Sequence, residues 1–212
     1  MSWPHILSFS RIVAGPVVSL LVLAGTADAY LLAAILFALA SLTDLLDGKL
    51  ARYSQRVSPL GIFLDTTADK VLVSLTLVSM SIAGLSPAWV PLVIIGREFV
   101  ISGLRSFAAS CNHIISAHAW GKGKAAVTMV AISCVLIAAN GTSRGILTRA
   151  LSESVWRDLF SAASWLLSIA ALLTVISGIR YFVDAWPLFQ PHPRVADLRG
   201  DERPRMAAGG DG

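Results

Sequence analysis

The sequence predicts an all-α integral membrane protein with six transmembrane helices and an N-terminal interfacial segment. Hydrophobic residues make up 55% of the 212 residues and charged residues 14%, and the mean hydropathy is +0.70. A soluble domain would carry about 25% charged residues, so the composition indicates that lipid surrounds most of the chain. Apolar runs separated by short polar turns recur along the sequence, as expected for a bundle of membrane-crossing helices.

Six apolar runs define the predicted helices. They cover residues 12–25, 30–53, 61–84, 88–109, 125–139 and 159–181. Residues 1–10 contain Trp3 and Phe9, and aromatic residues at this position favour a segment that lies at the membrane surface. Residues 110–124, between the fourth and fifth runs, are predicted to form a polar loop.

The two ends of the chain call for separate interpretations. The first run is followed by Ala27-Asp28-Ala29, which also fits the cleavage site of a signal peptide. Only one arginine, Arg11, precedes that run; it marks the predicted membrane boundary, and the run is expected to be retained. Residues 187–212 are rich in Pro, Arg, Asp and Gly, which predicts a disordered cytoplasmic tail after one membrane domain over residues 1–186.

Lysines and arginines are concentrated on the side where the second run ends and the third begins. Only Arg144, Arg149 and Arg157 fall on the opposite side. The positive-inside rule therefore predicts a multi-pass protein of the bacterial inner membrane, with both termini in the cytoplasm. The net charge of +4 suits anionic lipid headgroups. No arginine-rich segment is interleaved with aromatic residues, so nucleic acid is excluded as a partner.

Four aspartates interrupt otherwise apolar sequence. Asp44 and Asp47 lie near the end of the second run, whereas Asp65 and Asp69 lie near the start of the third. Spacings of three and four residues put each pair on one face of a helix. The polar segment between the runs contains Pro59 and is long enough to reverse the chain. The two acidic faces are therefore predicted to meet.

Carboxylates that meet in an apolar setting require a cation among them. The cluster offers only oxygen ligands, which favours Mg²⁺ or Mn²⁺, as one ion or a pair, over Zn²⁺. Gly48, Ala51 and Gly61 leave room for a substrate against the backbone. Arg52 adds a cation suited to phosphate. These residues together predict a pocket for metal and diphosphate on the cytoplasmic side.

The spacing D-x2-D-G-x2-A-R-x8-G-x3-D-x3-D resembles the signature of the CDP-alcohol phosphatidyltransferase family. It is formed here by Asp44, Asp47, Gly48, Ala51, Arg52, Gly61, Asp65 and Asp69. The segments PHILSFSRI, LDTTADK, GREFVISGLR and WGKGK resemble the bacterial members whose acceptor is glycerol 3-phosphate. These segments together span most of residues 4–140.

The resemblance implies transfer of a phosphatidyl group from CDP-diacylglycerol to glycerol 3-phosphate, giving phosphatidylglycerol phosphate and CMP. It also implies a six-helix catalytic domain, often a homodimer, with a membrane-embedded lipid donor. The four aspartates would hold two divalent ions, and Asp69 would be the general base. The CDP-diacylglycerol site would be lined by Asp47, Gly48, Ala51, Arg52 and Gly61.

Glycerol 3-phosphate requires a second cationic pocket for its phosphate. Arg105, Lys122 and Lys124 are the candidates, although each could instead be an interfacial residue that only sets orientation in the membrane. Arg97 and Glu98, inside the fourth run, are predicted to form a structural ion pair.

Two alternatives remain at the level of sequence. The first is the same chemistry on another alcohol, such as inositol phosphate or serine. The second, from a different class, is a divalent-cation transporter, which would also place carboxylates in membrane helices. A transporter would not need Gly48, Ala51, Gly61 and Arg52 beside the acidic residues.

Overall fold

The computed structural model describes residues 3–50, 59–110 and 120–186. Side chains are described throughout those ranges except at residues 3–8, 44–50, 59–66, 120–122 and 124. The predicted tail, residues 187–212, lies outside the described residues.

The described residues form six α-helices and one short 3₁₀-helix, with no strand among them. The α-helices are α1 (Trp3–Leu23), α2 (Ala27–Leu50), α3 (Pro59–Ile82), α4 (Trp89–Ser110), α5 (Trp120–Thr142) and α6 (Glu153–Ala185), and the 3₁₀-helix covers Ile146–Ala150. Each α-helix overlaps one of the six predicted runs. The all-α prediction is confirmed.

Five of the six helices begin earlier than the apolar runs predicted, and α1 and α5 do so in segments for which another structure was expected. Residues 3–10, expected as a separate interfacial segment, are the first turns of α1. Pro4 lies in the first turn, where its missing N–H would have had no helical partner, so it does not stop the helix. Helix α5 begins at Trp120, so the end of the predicted loop over residues 110–124 is helical instead.

The six helices form a closed ring of neighbours. Helix α1 packs most extensively against α3 and also packs against α2. Helix α2 packs on α5, α5 on α6, α6 on α4, and α4 on α3. Because α2 and α3 touch each other only over a short length, α1 is the main support shared by the two helices that carry the aspartates.

The centre of the bundle is filled by apolar side chains from several helices. Val18, Val22, Phe37, Leu72 and Leu136 are all fully buried. Two of these residues belong to α1, so the first helix is part of the folded core. Its packing favours a retained helix over a removable signal peptide.

Two helical segments among the described residues are long and apolar enough to cross a membrane, Ala125–Thr142 and Glu153–Ala185. Phe9–Leu23 and Ala27–Thr43 are apolar but shorter. Large apolar side chains on α6, including Trp165 and Ile176, are exposed. A helix surface of this kind suits contact with lipid rather than water.

The end of the bundle farthest from the aspartates is closed by a polar junction, here called the Asn140 junction and defined by Asn140, Gly141, Gly145 and Trp156. The fully buried Asn140 amide donates to the carbonyl of Ala27 at 2.8 Å and accepts from the N–H of Leu147 at 3.2 Å. A Cβ on Gly141 would lie 2.0 Å from the Trp156 ring, and one on Gly145 would lie 2.0 Å from the Asn140 amide. Only glycine therefore fits at either position.

Candidate active site

The structure places the two aspartate pairs in two consecutive helices, as the spacing predicted. Asp44 and Asp47 lie in the last two turns of α2, and Asp65 and Asp69 lie within the first three or so turns of α3. The end of α2 and the start of α3 belong to the same end of the bundle, because only residues 51–58 connect them. Both acidic pairs are therefore on one side of the bundle.

Asp69 is the only one of the four aspartates with a described side chain, and it is half-buried. For Asp44, Asp47, Gly48, Gly61 and Asp65 the helix is described but the side chain is not, and Ala51 and Arg52 lie outside the described residues. Whether the two acidic faces meet around one cation therefore stays a prediction.

The neighbours of Asp69 on α3 attach that helix to α4. Ala68 is fully buried. The half-buried Lys70 donates from Nζ to the hydroxyl of Ser102 on α4. Sequence reasoning assigned no role to Lys70, since its partner is remote along the chain. This contact fixes the level of α4 relative to the acidic start of α3.

The same contact locates Arg105 relative to the aspartates. Arg105 follows Ser102 by three residues on α4, so the two share a face of the helix. Helices α3 and α4 run in opposite directions, and moving from Ser102 to Arg105 therefore leads toward the start of α3, where Asp65 lies. Arg105 is exposed, so its guanidinium is not enclosed by the helix bundle.

Lys122 and Lys124 are placed in the first turns of α5 rather than in a loop. Their side chains are outside the described set. Helix α5 starts after the connection from the end of α4, and that connection puts both lysines at the same end of the bundle as Arg105.

Arg97 and Glu98 form the predicted ion pair, but Arg97 has a second role. Its Nη1 contacts Glu98 Oε1, and its Nη2 donates to the hydroxyl of Ser177 on α6 at 3.4 Å. A Cβ on Gly178 would lie 3.1 Å from Arg97 Cγ, so the glycine makes room for the arginine stem. The pair therefore joins α4 to α6. The sequence did not indicate this link, because Ser177 lies within an uninterrupted apolar run.

Arg11 is a functional candidate that the sequence did not indicate. It was expected at the membrane boundary, yet its side chain is only 1% exposed in the structure. Because α1 starts well before Arg11, this residue lies inside the helix and against its neighbours rather than at the helix end. Its place at the membrane boundary stays a prediction.

The residue types at this end fit divalent cations. All four candidate ligands are carboxylates, which suit Mg²⁺ or Mn²⁺. Their helix positions, three and four residues apart, keep each pair on one face. Among the described side chains no group of three or more potential ligands is brought together, and three of the four aspartates are outside that set. The metal site itself remains a proposal.

Comparison with known proteins identifies the family of this chain. A sequence model of the CDP-alcohol phosphatidyltransferase family matches residues 1–177. A Bacillus subtilis protein named CDP-diacylglycerol–glycerol-3-phosphate 3-phosphatidyltransferase is 39% identical over 158 residues, covering 74% of this chain and 75% of the relative. Relatives with the same name from Rickettsia bellii and Pseudomonas fluorescens are 35% and 33% identical, covering 84% and 88% of this chain and 92% and 91% of their own.

The matched region includes all six helices except the last turns of α6, and therefore both aspartate pairs. With a family match over most of the chain and relatives above 30% identity along most of both sequences, the chain belongs to the CDP-alcohol phosphatidyltransferase family, a family of membrane-bound phosphotransferases.

Proposed function

We propose that this protein transfers the phosphatidyl group of CDP-diacylglycerol to glycerol 3-phosphate, producing phosphatidylglycerol phosphate and CMP. The observation that carries the proposal is the similarity, over most of the chain, to relatives named for this reaction, at 39% identity in the Bacillus subtilis protein. The complete aspartate signature on α2 and α3 and the cationic Arg105 at the same end support it.

The aspartates give the site its capacity for metal. Asp44, Asp47, Asp65 and Asp69 would hold two divalent ions, which when bound shield the diphosphate and stabilise the leaving CMP. Gly48, Ala51, Arg52 and Gly61, with Asp47, would line the CDP-diacylglycerol site. The small residues leave space along the helices, and Arg52 supplies a charge for the phosphates.

Asp69 is assigned the role of general base. The acceptor hydroxyl oxygen forms a bond to the phosphorus that carries the diacylglycerol, the bond from that phosphorus to the CMP oxygen breaks, and CMP leaves. The hydroxyl proton passes to the Asp69 carboxylate. The half-buried position of Asp69 suits this role, because the carboxylate is reachable yet sheltered.

Arg105, Lys122 and Lys124 are proposed to bind the phosphate of glycerol 3-phosphate. Arg105 is supported by its exposure and by its place on α4, beyond Ser102 in the direction of Asp65. The two lysines are supported by their place at the start of α5. A phosphate bound there would hold the acceptor near the base.

The membrane arrangement follows from the same distribution of charge. We propose six crossings of a bacterial inner membrane, a homodimer, and both termini and the site facing the cytoplasm. Among the described residues, two helical segments are long and apolar enough to cross a membrane by themselves. Charged residues inside a membrane require a partner or a functional role. The proposed site accounts for the aspartates of α3, and pairing accounts for Arg97 and Glu98 of α4.

Acceptor profiling tests the proposed function. Purified protein with Mn²⁺ or Mg²⁺ and CDP-diacylglycerol is given glycerol 3-phosphate, serine or inositol phosphate, and CMP and lipid products are measured. We expect release of CMP with glycerol 3-phosphate alone. Preference for another alcohol would overturn the acceptor assignment. Divalent-cation flux in liposomes without consumption of CDP-diacylglycerol would favour the transporter instead.

A further inference from the structure

Arg11 is the one charged side chain that is fully buried among those described, with 1% exposure. Burying a guanidinium without a negative partner is strongly unfavourable, and breaking a buried pair is far more damaging than losing a surface pair. The location of Arg11 along the bundle therefore restricts which carboxylate compensates its charge.

Helix α1 presents Arg11 on the stripe that packs against α3. Arg11, Gly15, Val18 and Val22 follow one another at helical spacing, and all four are buried. A Cβ on Gly15 would lie 3.3 Å from the Leu72 Cα, so the backbones of α1 and α3 approach closely at this point.

A second contact fixes the register between the same two helices. The hydroxyl of Ser19, one turn beyond Gly15, donates to the carbonyl of Leu75, which lies about one turn beyond Leu72, at 3.5 Å. The two helices therefore run in the same direction. Extending this register by one turn toward their starts places Arg11 level with Ala68 and Asp69.

The Arg11 side chain extends beyond the level of its own Cα because helical side chains point in a fixed direction. Side chains on a helix lean toward its N-terminus, so a long arginine covers the turn before its own Cα. From Arg11 this reach leads along α3 from the level of Asp69 toward that of Asp65. Helix α2 offers Asp44 as a competing partner, but α1 packs more extensively on α3.

We propose that Arg11 is a positioning residue for the acidic pair of α3. Its guanidinium would donate to carboxylate oxygens of Asp65 and Asp69 and leave their other oxygens for the cation and the acceptor proton. Groups that hydrogen-bond to metal-binding carboxylates orient them and commonly change activity by about 10–100-fold when removed. The inference rests on the proposed function for the roles of these two aspartates.

A double-mutant cycle on stability tests the pairing without requiring turnover. Apparent melting temperatures in detergent and EDTA are measured for Arg11→Gln in the parent chain and in the Asp65→Asn and Asp69→Asn chains. We expect Arg11→Gln to lower the melting temperature by about 6–20 °C in the parent. In at least one neutralised chain the loss should be less than half as large, because the carboxylate no longer requires a partner.

Ser19→Ala provides the matched control at the same helix contact. Its effect should add to that of Asp69→Asn, since Ser19 is more than one turn from the acidic pair. Equal losses from Arg11→Gln in the parent and in both α3 variants would overturn the proposal. So would coupling of Arg11→Gln to Asp44→Asn alone. If Arg11→Gln alone does not fold, we expect it to fold when combined with Asp65→Asn or Asp69→Asn. Failure of both double variants to fold would contradict the pairing.

Kinetics separate positioning from a merely structural role. For folded Arg11→Gln we expect kcat to fall about 10–100-fold with the KM for CDP-diacylglycerol nearly unchanged, and Arg11→Lys to recover part of the loss. An unchanged kcat per folded molecule would overturn the positioning role. If the unsubstituted protein fails to use glycerol 3-phosphate, the proposed function fails, while the thermal cycle still decides whether Arg11 pairs with α3.

Discussion

At the Asn140 junction, neutral polar groups bond to one another across α2, α5 and the 3₁₀-helix, whereas the opposite end of the bundle collects charged side chains. Asn140 links α5 to the start of α2, and Trp156 fills the space that Gly141 leaves open. At the aspartate end, Asp69, Lys70 and Arg11 lie on or beside α3.

The difference indicates how this chain tolerates an acidic site inside an apolar bundle. In the proposed site the carboxylates of α2 and α3 face one another, and without a bound cation they would repel each other and act to separate the two helices. Close packing at the far end, together with α1 between the two helices, opposes the separation. Substitutions at the Asn140 junction should therefore change stability without changing turnover, whereas substitutions at the aspartate end should change turnover, in the case of Arg11 together with stability.

The largest expected effect is on catalysis. Asp69→Asn should lower kcat by about 10²–10⁴-fold, because the amide cannot accept the hydroxyl proton. Binding of CDP-diacylglycerol should remain largely intact. Asp28→Asn, an exposed aspartate in the first turn of α2 at the opposite end, is the matched control and should retain activity. Retained turnover in Asp69→Asn would remove the base assignment.

Gly141→Ala should give the largest loss of stability among substitutions at the Asn140 junction. Its new Cβ would lie 2.0 Å from the Trp156 ring, and relieving such overlap in a packed core costs about 1–3 kcal/mol. Thermal unfolding in detergent measures the change. Gly103→Ala, which has no atom within 4 Å of the added Cβ, is the control and should be neutral or slightly stabilising. If Gly141→Ala left the melting temperature unchanged, the Asn140 junction would have to rearrange around the added Cβ at no cost in stability.

Asn140→Ala should also destabilise, by about 2 kcal/mol, because it leaves the Ala27 carbonyl and the Leu147 N–H without their amide partner. Its kcat per folded molecule should be unchanged. Thr142→Ala is a suitable control, since that exposed hydroxyl bonds only within its own helix. If the kcat of fully folded Asn140→Ala protein fell, the Asn140 junction would be coupled to the aspartate end of the bundle.

The smallest of these effects concerns the acceptor. Arg105→Ala should raise the KM for glycerol 3-phosphate about tenfold, equivalent to about 1.4 kcal/mol, and change the KM for CDP-diacylglycerol much less. Arg157→Ala, an exposed arginine on the opposite side, should change neither. If Arg105→Ala leaves the acceptor KM unchanged, the phosphate pocket lies elsewhere.

Local pattern in the sequence predicted the helices and the placement of the aspartates within them. The apolar runs located all six, and spacings of three and four residues put Asp44 with Asp47 and Asp65 with Asp69. Helix starts were less accurate, because hydropathy reports where a chain is apolar and not where its hydrogen bonds begin. Trp120 begins α5 in polar sequence for that reason.

Contacts between distant helices could not be predicted in the same way. The side of α1 that carries Arg11 packs on α3, and the hydroxyl that accepts from Arg97 lies on α6. The burial of Asn140 depends on Ala27 from the start of α2. Each of these depends on the order of helices in the ring, which residue spacing does not encode, and so the burial of Arg11 could not be predicted.

A titration of the purified protein with Mn²⁺ in the presence of CDP-diacylglycerol, followed by electron paramagnetic resonance, tests most directly whether α2 and α3 form one site. Two ions should bind per chain, and Asp47→Asn on α2 and Asp65→Asn on α3 should each weaken that binding. No stoichiometric binding, or a loss confined to substitutions on one of the two helices, would contradict a shared site.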